Sequence, residues 1–133
     1  MRISLFSQSL FALPLDEAID AAAELGYPAI ELACAAPHFH LETARTRAEQ
    51  VAERIHKAGL TVSALSGFNC FTERDRLIEE LTAAETYLRL APLFGTRVVK
   101  LTPGGPSSAQ ASDVHWRCLA LSLAGLVPLA RQL

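Results

Sequence analysis

GTRVVKL, residues 95–101, opens on a glycine, runs through Val98 and Val99, and carries Lys100 just before its end at Leu101. The same form occurs twice earlier, as GYPAIEL from Gly26 and GLTVSAL from Gly59, at intervals of 33 and 36 residues. That interval is about the length of one βα unit, and self-similarity at such a period signals stacked supersecondary units. Each glycine ends a helical pattern and precedes a short β-rich run.

The helices read outward from these glycines. In LDEAIDAAAELG, Ala18, Ile19, Ala22 and Leu25 recur at helical spacing and Gly26 is the expected C-terminal cap. RAEQVAERIHKAG repeats the design with Val51, Ile55 and Ala58 ahead of Gly59. The third helix is expected to start after Thr72, with Asp75 at capping-box spacing, and to end at Gly95 with Pro92 tightening its last turn. A fourth lies in HWRCLALSLAGLVPLARQL, and RISLFS supplies the first strand. Strands and helices that alternate with short links imply a parallel sheet with right-handed crossovers. The expected fold class is therefore α/β, and residues 1–133 make one domain's worth of chain.

The fifth position after each glycine is Glu31, Ala64 and Lys100, each flanked by residues that would face helices. One face of the sheet thus turns polar near its C-terminal end. In a closed parallel barrel, alternate strands share an interior layer and active sites lie at the C-terminal rim. Glu31 on strand 2 and Lys100 on strand 4 are expected to meet there as an ion pair, since a lysine near a carboxylate and a solvated mouth keeps its charge. The pair either joins a ligand site or only neutralises itself and holds the strands in register.

Composition narrows the function. The net charge is −2 and no basic block occurs, which argues against a nucleic-acid partner held by phosphate neutralisation. No apolar run is long enough to span a membrane and no separate leader pattern precedes RISLFS, so no membrane partner and a cytoplasmic address are expected. Cys34, Cys70 and Cys118 are odd in number and widely spaced, which fits free thiols better than a disulfide framework or a metal knuckle.

The segments after the strands are SQSLFALP, ACAAPHFH, SGFNCFT and TPGGPSSAQ. His38 and His40 alternate, so on an extended loop both would face one side, and His38 is a candidate substrate contact; an HxH pair alone is a weak metal signal. Ser66 and Asn69, with Phe68 and Phe71, form the polar and aromatic mixture that suits a sugar, hydroxyls bonding while a ring face stacks. TPGGPSSAQ lacks the lysine and spacing of a nucleotide loop. Trp116 reads as helix packing, and helical acids such as Glu79 and Glu80 as a solvated face.

RISLFSQSL, GYPAIEL with its histidine-bearing loop, HKAGLTVSALS and LFGTRVVKLTPG, in this order, resemble the N-terminal half of xylose isomerase-like TIM-barrel proteins, the sugar phosphate isomerase/epimerase group. The resemblance implies a (βα)4 half of a TIM barrel with parallel strands and outer helices. It implies a sugar-like substrate, a divalent metal (manganese, magnesium, cobalt or zinc), and metal-assisted proton transfer by the complete barrel. The metal ligands and proton-transferring acids of that group come from strands 5 to 8, so no catalytic residue and no metal ligand is carried over to this chain. Glu31, His38, Ser66, Asn69 and Lys100 are its expected substrate contacts. A half-barrel leaves sheet edges open, so either a missing C-terminal half or a homodimer is expected to close it. The competing readings are a non-catalytic, self-associating ligand-binding module and an abasic-site endonuclease-type relative.

Overall fold

The computed structural model describes residues 3–133. Eight main elements alternate: β1 (Ser4–Phe6), α1 (Leu15–Glu24), β2 (Ala29–Cys34), α2 (Leu41–Lys57), β3 (Thr61–Gly67), α3 (Leu77–Leu90), β4 (Val99–Leu101) and α4 (Asp113–Gln132). The four strands form one sheet in the order β1-β2-β3-β4, every neighbouring pair parallel. This is the α/β arrangement that the glycine repeat implies, in the partial-barrel form that the resemblance implies. Arg2 of the expected first strand lies outside the described residues.

The repeat glycines do what their positions predict. Gly26, Gly59 and Gly95 have φ of +78, +76 and +65°, the left-handed region where a Cβ is penalised and glycine is favoured just past a helix. α1 buries Ala18, Ile19 and Ala22, and α2 buries Val51 and Ile55, each on the sheet-facing stripe. Of these, Ile19, Ala22, Val51 and Ile55 join Ile30, Leu32, Leu65, Tyr87 and Phe94 in the principal core, between sheet and helices. Fully burying a side chain such as Ile30 or Leu65 stabilises by about 1.5–3 kcal/mol. A second cluster, built on Phe71, Ala84 and Leu126, fastens α4 to α3.

Two helix boundaries differ from expectation. α2 begins at Leu41 rather than within RAEQ, because LETART continues the helix back to His40, whose Nδ1 hydrogen-bonds the Thr43 hydroxyl at 3.0 Å. The third helix does not start after Thr72: residues 74–76 form a 3-10 turn, no side chain caps α3, and the helix begins at Leu77. It stops at Leu90, and the chain through Pro92 to Gly95 is turn, because proline has no N–H to continue the ladder.

The sheet carries one irregularity that decides the site. Ile30 pairs with Val62 but Glu31 pairs with Ala64, so Ser63 is an extra residue in β3. A bulge of this kind shifts every later side chain to the opposite face. Val62 and Leu65, three apart, consequently both join the helix-side core, and Ser66 turns to the inner face. The Ser63 hydroxyl donates to the Ile30 carbonyl at 3.3 Å, and its carbonyl accepts from the Thr96 hydroxyl at 3.1 Å.

Candidate functional site

On the inner face, near the C-terminal ends of the strands, Lys100 Nζ donates to Glu31 Oε1 at 2.6 Å, and Ser66 Oγ donates to the same oxygen at 2.6 Å. Lys100 is level with Ser66 across the β3–β4 ladder, while Glu31 is level with Ala64, two residues back along β3. The long side chains of Glu31 and Lys100 span that offset, and three strands meet at one carboxylate oxygen.

Burial raises the Glu31 pKa, but the hydrogen bonds from Lys100 and Ser66 and the charge of Lys100 outweigh it and hold the carboxyl below its ordinary value. Glu31 is therefore a fixed anion at neutral pH. It is three-quarters buried, whereas the Lys100 side chain is 52% exposed, so the ammonium faces the open mouth.

Aromatic rings flank the pair. Phe6, at the end of β1 and level with Glu31, lies beneath Lys100 with Nζ 4.6 Å from its ring centroid, a cation–π distance. Phe68 runs parallel to Phe6, with centroids 6.2 Å apart and 4° between the planes, and is 42% exposed. Phe71, by contrast, is fully buried and anchors the second core cluster.

The other two expected contacts lie elsewhere. His38 is buried, its Nε2 donates to the Leu13 carbonyl at 3.1 Å, and its ring meets Phe11 edge-on. His40 is exposed at the start of α2, so the two histidines do not face one side. Asn69 is buried with its amide nitrogen on both the Glu80 carbonyl (3.1 Å) and Glu80 Oε2 (3.2 Å). Glu80 departs from the solvated face expected of it: it is buried, and Arg76 closes on its other oxygen at 2.8 Å. Sequence reasoning missed Phe6, although its place in RISLFS, two residues after Ser4, put it on the inner face. It also missed Glu80, which nothing in the i, i+4 pairing with Arg76 separates from a surface pair.

The rim loops are zipped together. Phe71 N–H donates to the Pro103 carbonyl (2.9 Å), Thr102 Oγ1 to the Asn69 carbonyl (2.8 Å), and Thr72 Oγ1 to the Gly105 carbonyl. The loop carrying Phe68 is thus fixed from α3 through Asn69 and from β4 through Thr102.

The three cysteines are free and buried. Burial pushes the Cys34 thiol well up, more than a hydrogen bond at Ser66 lowers it, so it is inert at neutral pH. Among the described residues no three His, Cys, Asp or Glu side chains converge on a metal position, and no helix is long and apolar enough to cross a membrane.

A parallel sheet with outer helices and a polar inner face at its C-terminal end defines a partial (βα) barrel. The family model described as xylose isomerase-like TIM barrel matches residues 19–133, and the chain belongs to that family. No curated protein sequence matches it. Among solved structures, a xylose isomerase-like TIM barrel protein from Mycobacterium smegmatis in complex with magnesium is 16% identical, with a TM-score of 0.77 covering 98% of this chain and 52% of that one. The probable 3-DHS dehydratase AsbF from Bacillus anthracis is 18% identical, with a TM-score of 0.74 covering 99% and 49%. The 3-keto-D-glucoside 4-epimerase YcjR from E. coli is 18% identical, with a TM-score of 0.72 covering 99% and 52%. The chain spans about half the length of these structures.

Proposed function

We propose that this chain is the substrate-seating half of a sugar isomerase or epimerase of the xylose isomerase-like kind, one that moves a proton on a sugar or a related polyol or keto compound. The observation that carries the reading is the Glu31–Lys100–Ser66 cluster beside Phe6 and Phe68, at the rim where barrels of this class place their chemistry. Lys100 has N–H groups left to donate to a substrate oxygen, Glu31 Oε2 is left to accept from a hydroxyl, and the exposed Phe68 ring covers an apolar C–H face.

The cluster binds and orients; it does not take the proton. A carboxylate held below its ordinary pKa by two donors is a weak base, and no other base stands beside it. The divalent metal implied by the resemblance does not fit the residues present, since no donor set converges and Glu31 Oε1 already accepts two hydrogen bonds. In this reading the metal ligands and the proton-transferring groups belong to further βα units that cover the open β1 and β4 edges.

The test is Lys100→Met, assayed by the binding of a panel of ketoses and by thermal melting. The expected result is binding weakened about tenfold or more, the effect of losing a charge-assisted hydrogen bond, alongside a fall in melting temperature of the few degrees that the ion pair itself supplies. A loss of thermal stability with unchanged affinity reduces Lys100 to a structural partner of Glu31 and sinks the reading.

A further inference from the structure

We infer that this face seats an uncharged, polyhydroxylated segment and rejects a phosphate or carboxylate group; the inference rests on the reading of the inner face as a ligand pocket. Three independent observations point the same way. Among the described residues the one cation on the inner face at the site, Lys100, is already neutralised at 2.6 Å by Glu31, so the cluster offers an incoming anion no net positive charge. Glu31 Oε2, left open, would repel it.

The loops that frame the mouth supply nothing better. Residues 7–14, 35–40 and 102–112 contain no lysine or arginine. The β3–α3 connection holds two arginines: Arg76 is bonded to Glu80, and Arg74 stands between Glu73 and Asp75 in sequence. Phosphate recognition relies on free arginine or lysine forks or on unblocked helix N-termini.

The helix N-termini carry acids as well. All four helices start on the rim side, and each has acid in its first turn: Asp16 and Glu17 in α1, Glu42 in α2, Glu79 and Glu80 in α3, Asp113 in α4. A first-turn acid offsets the positive end of a helix dipole, and the two acids bonded to arginine, Asp16 to Arg47 and Glu80 to Arg76, leave those arginines neutralised toward an anion. What remains is hydrogen bonding to hydroxyls, and stacking on Phe68.

The measurement is NMR titration of the 133-residue chain, following the backbone amides of Ser66, Phe68 and Lys100, with D-fructose, myo-inositol and D-fructose 6-phosphate as probes. D-Fructose and myo-inositol are expected to shift these amides saturably, and the phosphate ester to bind about tenfold or more weakly, as one uncompensated charge contact at this depth requires. In Glu31→Gln the ammonium is freed, and the order is expected to reverse, with the ester's affinity falling as salt rises. Lys100→Gln, which frees the carboxylate instead, is expected to weaken the ester further, so the inference does not depend on one variant folding. Ester binding in the wild type as tight as its parent sugar overturns the charge selectivity while leaving the pocket standing. Silence of all three amides toward every probe overturns the pocket itself.

Discussion

At Glu31 burial and hydrogen bonding pull the same carboxyl in opposite directions. Burial favours the neutral acid; Lys100 and Ser66 favour the anion, and they prevail. Because the folded pKa lies below the unfolded one, the pair stabilises the fold fully above the ordinary value of 4.5, and that contribution is lost as pH falls through the depressed value. Lys100 is half exposed, so water screens the pair and its worth is modest. The melting temperature of Glu31→Gln is expected to lie about 2–5 °C below the wild type at pH 5–7, the shift that ~1 kcal/mol gives a domain of this size, with the gap closing below pH 4.5. Thermal melts of both proteins from pH 7 to pH 3 measure this. A gap independent of pH would mean that the packing of the side chain, not its charge, sets the difference.

Between elements, the decisive contact is the seam of the β3 and β4 loops. Gly104 has φ of +88°, and a Cβ built on it would run into the Cys70 side chain and lie 2.6 Å from the Cys70 Cα, which turning the thiol aside does not relieve. Gly104→Ala is expected to destabilise by at least ~2 kcal/mol, combining the left-handed penalty of about 1–2 kcal/mol with the clash. Gly105→Ala, where nothing lies within 4 Å of the added carbon, is expected to stay within about 0.5 kcal/mol. Urea unfolding of the two variants separates the seam from a general intolerance of the loop. The same scale shows what the sequence could and could not reveal. Gly26, Gly59 and Gly95 were legible because a helix end leaves little choice but glycine at positive φ, and they delivered the βα order and the Glu31–Lys100 pair. Ser66 was expected as a ligand contact for its loop, and the repeat frame, which sets Ala64 on the inner face, sets Ser66 two residues on there too; its bond to Glu31 was not visible because nothing in the local sequence shows that a carboxylate 35 residues away takes its hydroxyl. His38 and Asn69 looked like rim contacts because nothing in their local sequence shows that Leu13 and Glu80, 25 and 11 residues away, draw them inward.

Over the whole molecule, the balance of apolar surface singles out α4. Its 20 residues carry Asp113, Arg117 and Arg131 as their only full charges, yet the buried positions are just Cys118, Ser122 and Leu126. Val114, Trp116, Leu121, Leu123 and Val127 are exposed instead, including the tryptophan expected to be packed. A helix that is apolar on every side is normally covered on every side, and here α3 covers one flank while β4, three residues long, ends the sheet. Contiguous apolar surface beside an open strand edge is the condition for association. The 133-residue chain alone is therefore expected to bind a hydrophobic dye and to gain mass with concentration in sedimentation. Leu123→Glu combined with Val127→Lys, an i, i+4 pair in the favourable order, should reduce both signals while leaving the helical circular dichroism intact, since neither residue is buried. A chain that stays monomeric at every concentration and ignores the dye would show that α4 tolerates its exposed face. The further βα units assigned to that side of the barrel would then lose their strongest physical motive.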